Sequence, residues 1–391
     1  MQSPADELSY ILITPHSIRK SRTGGILSRL ISRSGLDLVA ARMFAPSPEL
    51  VEKYAASIVS DSDERHRHTQ QLVCDYIRRN FGPRADDVHP RVMMLVLQGE
   101  DAVAKVRKVT GHLVHDLTAG ETIRDTYGDY ITDEDRVVYF EPAALAPQST
   151  EAARADLQLW ADYSDSDGGI IDHVVSKPES GVIETTLVLL KPDNFRFPNV
   201  RPGALIETFS RTGLAIVGAK VIHMSVTEAE EFYRPVLDAL LEHLSASTGR
   251  RVRLAVEEEL GCPLSDGIES ELAAMITPVA ARAHWESIIQ FMAGRRPGQC
   301  PAELRDAPGT EKCLALLYHG VDAVAKIRSV LGPTDPAKAP TGTIRKEFGQ
   351  SIMVNAAHAS DSAANAKREI SLLNIAANNF KPLIESRSLT S

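Results

Sequence analysis

The chain predicts an α/β fold: two related domains in tandem, each a βαββαβ sandwich of one sheet and its helices, the second with a long, mostly helical insertion. An internal repeat is the first observation behind this. LVLQGEDAVAKVRKVTG (95–111) falls on LLYHGVDAVAKIRSVLG (316–332), 221 residues later, and the match runs on to ETIRDTYGDYI (121–131) and GTIRKEFGQSI (342–352). The second is an upstream pair, GILSRLISRSGLDLVAA (25–41) and GALIETFSRTGLAIVGA (203–219), offset by 178 residues. The two offsets differ by 43, so the second copy carries that many extra residues between its halves. The third is the alternation of short apolar runs with helical patterns inside each copy. The expected division is 1–160 for the first copy, a Ser-, Asp-, Gly- and Pro-containing linker at 161–183, 184–376 for the second copy, and a tail at 377–391.

The elements are clearest in the second copy. TTLVLLKP reads as a strand, and GALIETFSRTG as a helix with Gly213 at its C-cap. LAIVGAKVIHMS and KCLALLYHG follow as strands two and three. DAVAKIRSVLG is a helix with Asp322 as its N-cap. QSIMVNA is expected as the fourth strand, and SAANAKREISLL as the closing helix. The order βαββαβ is that of a ferredoxin-like α/β sandwich. The insertion, at about 234–283, holds PVLDALLEHLSAS and IESELAAMITPVAARAHW, both amphipathic helices, with the basic run GRRVR (249–253) between them on an exposed helix or strand face.

Composition narrows the function classes. The chain has 391 residues, 43 % hydrophobic and 24 % charged, with net charge −9. That balance disfavours a general nucleic-acid binder and leaves room for a local arginine cluster that grips phosphate. No apolar run reaches the roughly 18 residues that span a bilayer, and MQSPADELSY does not read as a secretory signal. The four cysteines form no CxxC pair, so a zinc site is not expected, and reduced thiols in a cytoplasmic protein are the simplest reading. ERHRH (64–68) offers His66 and His68 without a matching second pair and reads as a solvated loop.

Four stretches of the second copy carry a family resemblance: ETTLVLLKPD (184–193), DAVAKIRSVLGPTDP (322–336), PTGTIRKEFG (340–349) and VNAAHASDSAANAKREI (354–370). In order and spacing they resemble the nucleoside diphosphate kinase family. The resemblance implies two domains of the nucleoside-diphosphate-kinase type and ping-pong transfer of the γ-phosphate of ATP to a nucleoside diphosphate through a phosphohistidine. Carried over by position, His358 is the nucleophile, Glu369 orients its ring and Tyr233 lies beside it. Lys191, Arg328, Thr334 and Arg345 hold phosphates, and Asn355 contacts the ribose and phosphate region. Mg²⁺ is the implied cofactor, bound mainly through nucleotide phosphates, so no dedicated metal ligands are expected. The implied partners are ATP and nucleoside diphosphates, with no nucleic acid and no membrane. A homo-oligomer is also implied, the tandem chain mimicking one family dimer.

The residue types suit that chemistry. A neutral imidazole, with an ordinary pKa of about 6.5, is a good nucleophile near neutrality when a carboxylate holds one tautomer. A phosphoryl group in flight spreads charge over three oxygens, and guanidinium forks match it. No GxxxxGK[ST] is present, so charged side chains replace the backbone amides of a P-loop.

The chain departs from the family pattern in three places. Ala359 stands where the family has Gly after the histidine, 195–203 is about two residues longer, and the insertion follows Tyr233. The family's base-stacking Phe maps to His284, with Trp285 beside it; either ring could stack on a base. Two readings therefore stand beside the leading one: a kinase specialised for an unusual nucleotide acceptor, and a catalytically weak nucleotide-binding regulator or scaffold.

The first copy keeps the frame without the nucleophile. An offset of 213 puts His358 on Leu145 and Asn355 on Pro142; Lys191 falls on Thr14 and Thr334 on Leu113. Arg107 and Arg124 survive at the positions of Arg328 and Arg345. Leucine cannot accept a phosphoryl group, so this copy is expected to be a degenerate kinase domain with a structural or regulatory role.

Overall fold

The apolar run of the first copy becomes β1 (Glu7–Ile13), buried from Ser9 onward. Helix α1 (Pro15–Arg19) follows, its cap Thr14 accepting from the Ser17 amide. Next come α2 (Thr23–Ser34), β2 (Asp37–Phe44), α3 (Pro48–Ser57), α4 (Arg67–Asn80), β3 (Val92–Gly99) and α5 (Ala102–Thr110). Short helix α6 (Ile123–Tyr127) is closed by a Thr122–Asp125 capping box. The hairpin β4 (Asp129–Asp133) and β5 (Arg136–Glu141), strand β6 (Ala144–Leu145), helix α7 (Thr150–Asp162) and strand β7 (Gly168–Gly169) complete this part. The sheet order is β6-β1-β3-β2-β7, and every pair is antiparallel.

The second copy repeats the plan with β8 (Ile183–Leu190), α8 (Arg201–Ser210) and β9 (Ala215–Ile222). Two long helices, α9 (Val226–Leu260) and α10 (Ile268–Ala293), intervene before β10 (Cys313–Val321), α11 (Ala323–Leu331), α12 (Ile344–Phe348), β11 (Ala357–Ala359), α13 (Ala363–Leu372) and α14 (Phe380–Ser388). Its sheet order, β11-β8-β10-β9, places the fourth strand beside the first and the third between first and second, as in the first copy, where β7 extends the sheet beyond β2. Two ferredoxin-like sandwiches in tandem are thus the architecture of the repeat. Asp101 and Asp322 lie at matching helix starts with φ of 51° and 54°, and neither side chain caps its helix. Instead, the Val103 amide donates to Glu7 and the Val324 amide to Glu184. Asp322 thus holds the expected N-cap position, but its side chain makes no cap bond.

This computed structural model describes residues 7–59, 67–84, 88–113, 120–133, 136–175, 180–265 and 267–388. His66 lies outside the described residues. The chain divides into two compact units, Met1–Val221 with Leu314–Ser391, and Ile222–Cys313. Both copies of the repeat lie in the first unit, and the insertion makes up most of the second. Among the described residues no helix is long and apolar enough to cross a membrane.

Three expectations change. The fourth strand is Ala357–Ala359 rather than QSIMVNA, because Ala356 takes φ 70° and Asn355 turns inward, which breaks an extended run there. Residues expected as a linker join both sheets. Gly168 and Gly169 pair with Phe44 and Met43 at the edge of β2, and the Ile171 amide donates to Val217 O at 2.8 Å. The expected tail forms α14, whose Phe380 is fully buried with its ring 5.8 Å from that of Phe44. Just before it, Asn378 donates to Ser164 Oγ at 2.6 Å and Asn379 to Val221 O at 2.9 Å. Each of these contacts joins residues far apart in sequence, which local composition does not record.

The copies also meet through equivalent helices. A Cβ on Gly24 of α2 would overlap Glu207 N and Gly203 O of α8, and a Cβ on Gly203 would overlap Gly24 O and the backbone of Ser28. Ser28 Oγ donates to Val200 O at 2.9 Å. Matching helices in mutual contact are what a two-fold pairing produces.

The second unit is an antiparallel hairpin of α9 and α10, 35 and 26 residues long. α9 absorbs the first expected helix and the basic run into one element. Gly249 lets the helices approach, since a Cβ there would overlap Glu269 O. Arg253 Nη1 reaches across to Glu269 Oε2 at 3.5 Å.

Candidate functional site

His358 lies in the middle of β11, opposite Leu189 of the first strand. That register brings the end of β8, and with it Lys191, beside the histidine strand. The Lys191 amide donates to Ala356 O at 3.0 Å. Ala356 is held in the left-handed region, an unfavourable place for a residue with a Cβ that needs support from its surroundings. Its carbonyl also accepts from the fully buried Asn194, Nδ2 to O 2.7 Å.

The imidazole is oriented by one carboxylate. His358 Nε2 lies 2.9 Å from Glu369 Oε2 on α13, and Ser360 Oγ donates to the same oxygen at 2.7 Å. Glu369 is buried and His358 half-buried. A carboxylate facing Nε2 favours the tautomer protonated there, which leaves the lone pair on Nδ1.

Around the ring, the residues expected to handle phosphate divide by state. Lys191 Nζ donates to Asn355 Oδ1 at 2.7 Å, and Asn355 Nδ2 donates to Thr334 O at 3.1 Å, so three of them form one buried-to-surface chain. Arg345 reaches Gly332 O at 2.9 Å and Ala357 O at 3.1 Å, tying α12 to the residue before His358. Arg328 is exposed near the end of α11, and its charge helps hold the Asp361 carboxyl below the usual carboxylate range; a hydrogen bond from Asn365 is the larger cause. Lys191, Asn355, Thr334, Arg345, His358 and Glu369 are thus brought together, with Arg328 at the rim.

Tyr233, His284 and Trp285 belong to the helical unit. Tyr233 is buried, and its carbonyl accepts from Trp285 Nε1 at 2.9 Å. Trp285 is only 7 % exposed, so its ring is an interior packing element, which leaves little of it to stack on a base. His284 is exposed.

Sequence reasoning missed Asn194, Ser360 and Arg201. Arg201 Nη2 lies 3.2 Å from Asp193 Oδ2 and 2.9 Å from Phe348 O, with Nε 3.3 Å from Asn194 Oδ1. Burial pushes the Asp193 carboxyl up and the Arg201 charge opposes it. A comparison of the copies held a signal: Asn194 aligns with Ser17, and both side chains donate to the matching left-handed alanine carbonyl, Ala143 in the first copy.

The first copy repeats the frame without the chemistry. Leu145 pairs with Leu12 as His358 does with Leu189, and it is buried. Thr14 Oγ1 donates to Ala143 O at 3.0 Å where the second copy has Lys191. Arg124 keeps the backbone task of Arg345, bonding Gly111 O at 2.6 Å and Ala144 O at 3.1 Å, and burial lowers its pKa to about 10. Arg107 is exposed. Buried Glu141, matched to Val354, adds negative charge to this site and pairs with Lys20 at 2.5 Å.

Comparison with known proteins identifies relatives of this chain. The sequence model described as nucleoside diphosphate kinase matches residues 7–163 and 303–376. A nucleoside diphosphate kinase of Helicobacter pylori (strain Shi470) is 29 % identical over 187 residues, 48 % of this chain and 92 % of that protein. One from Anaeromyxobacter sp. (strain Fw109-5) is 30 % identical over 188 residues, 48 % of this chain and 87 % of that protein. Among solved structures, an NDP kinase from Pyrobaculum aerophilum matches with 25 % identity and a TM-score of 0.31, covering 50 % of this chain and all of that one. The two segments matched by the family model fall in both copies of the repeat and cover more than half of the chain, which therefore belongs to the nucleoside diphosphate kinase family.

Proposed function

We propose that the second copy moves the γ-phosphoryl group of ATP to a nucleoside diphosphate through a phosphohistidine at His358. The observation that carries this is the His358–Glu369 pair, 2.9 Å apart at Nε2 and flanked by Ser360. With the proton on Nε2, the Nδ1 lone pair attacks the γ-phosphorus; an N–P bond forms, the bond to the ADP oxygen breaks, and ADP leaves. In the second half, a β-phosphate oxygen of the acceptor attacks phosphorus and the N–P bond breaks. Glu369 stabilises the ring while it carries phosphorus.

Lys191, Arg328 and Arg345 supply positive charge where the equatorial oxygens would lie. Two of them also have structural bonds, Lys191 to Asn355 and Arg345 to backbone carbonyls, so part of their work is to hold the site ready. Mg²⁺ would neutralise phosphate charge when bound. In this reading the ion is carried by the nucleotide's own phosphates.

We propose no phosphotransfer for the first copy, since Leu145 has no lone pair to offer. The acceptor range is open to specialisation, because the family's base-stacking Phe has no counterpart here and its position falls by sequence on His284. A panel of diphosphate acceptors measures it, and equal turnover of all common ones removes a specialised acceptor.

The central test is incubation with γ-labelled ATP. An acid-labile, base-stable label that vanishes in His358→Ala supports the reading; a label unaffected by that change refutes it.

A further inference from the structure

Arg201 joins the turn after Lys191 to the end of α12. Its guanidinium touches Asp193, Asn194 and the Phe348 carbonyl, at 3.2, 3.3 and 2.9 Å. Both ends of that link lead to the histidine strand. On one side Asn194 bonds Ala356 O, two residues before His358. On the other, α12 carries Arg345, which bonds Ala357 O, one residue before it. A planar, permanently charged fork can satisfy three acceptors at once; an ammonium or an amide cannot reproduce that geometry.

Arg201 also stands where the first copy packs closely on the second. It opens α8, whose third residue, Gly203, is so close to α2 that a Cβ would overlap Gly24 O and Ser28 N. The residue before Arg201, Val200, receives the Ser28 hydroxyl at 2.9 Å. The first copy therefore grips the N-terminus of α8 from both sides of the Arg201 backbone.

We propose that Arg201 is a positioning residue for His358, and that the first copy acts as an internal support that holds Arg201 in place. The inference rests on the phosphotransfer reading above. It gives a copy without a nucleophile a task in its neighbour's chemistry: keeping the β11 backbone in the strained register that aims the imidazole. A displacement of even about 1 Å at a reacting group can cost up to about 100-fold in rate.

The test uses the full chain and the single-turnover rate of His358 labelling by γ-labelled ATP, with steady-state kinetics alongside. Arg201→Gln is expected to lower kcat about 10- to 100-fold while KM changes less than about 3-fold, with Arg201→Lys intermediate. A fall confined to KM, or no fall, overturns the positioning role. Gly24→Ala, in the first copy, is expected to slow labelling several-fold in the wild-type background and less than about 2-fold in the Arg201→Gln background, because the path is already cut. Independent, multiplying effects overturn the support role. Should Gly24→Ala fail to fold, Ser28→Ala removes the bond to Val200 without adding atoms and enters the same cycle. A wild-type chain that takes no label overturns the phosphotransfer reading and this inference together; a labelled wild type with unchanged Arg201→Gln overturns this inference alone.

Discussion

Asp156 and Glu369 occupy the same place on the closing helices of the two copies, 213 residues apart, and face opposite fates. Glu369 Oε2 receives His358 and Ser360 at 2.9 and 2.7 Å. Asp156 Oδ2 instead accepts from Tyr10 at 2.7 Å, and its Oδ1 from Ser57 at 2.8 Å. With leucine in place of the histidine, the first copy has turned the same carboxylate into an interior anchor.

The pair predicts a split response. Glu369→Gln keeps the shape and loses the charge, so kcat should fall about 10- to 100-fold with little change in KM, because the imidazole is less well held when it carries phosphorus. Asp156→Asn should leave phosphotransfer within about 2-fold of wild type. Steady-state assays of both variants check this.

Asp156 also predicts a pH dependence of stability. Burial is the main cause that raises its pKa, with the hydrogen bonds from Tyr10 and Ser57 opposing it. The folded chain therefore binds this proton more tightly than the unfolded one. Its stabilising contribution is full below the unfolded value of 3.8 and is lost as pH rises through the raised folded value. Urea titrations across that range should show wild type losing stability relative to Asp156→Asn as pH rises. The loss should be on the order of 1 kcal/mol for each tenfold difference in proton affinity between the folded and unfolded chain.

Leu145→His should not create a second phosphohistidine. The position is buried, Thr14 replaces the lysine, and Glu141 adds negative charge. In a His358→Ala background no acid-labile label is expected, and lost apolar packing should cost about 2 kcal/mol or more of stability.

Phe380→Ala should destabilise the chain by about 3–5 kcal/mol, as for other fully buried aromatic residues. Phe380 sits against Phe44 in the core that also holds Trp160. A denaturant melt at neutral pH measures the loss.

The repeat and the main strand and helix order were legible in the sequence, because each depends on residues close along the chain or on a motif at fixed spacing. Lys191, Asn355, Thr334 and Arg345 do gather at His358. The fourth strand was misplaced, and the missing cap bond of Asp322 not foreseen, because backbone conformation decided both: φ of 54° and 70° at Asp322 and Ala356 turns the chain in a direction that residue type alone does not specify.

By itself the sequence determined that one domain is used twice, that the second copy carries His358 where the first carries Leu145, and that Lys191, Arg328 and Arg345 accompany that histidine. Tertiary structure alone decided that Phe380 completes the core of the other copy, that α2 and α8 interlock at Gly24 and Gly203, and that Arg201 stands between that contact and His358. The physical reason is range. Periodicity and motif spacing record neighbours along the chain, whereas these contacts join residues over a hundred positions apart, and only the folded chain brings them within reach.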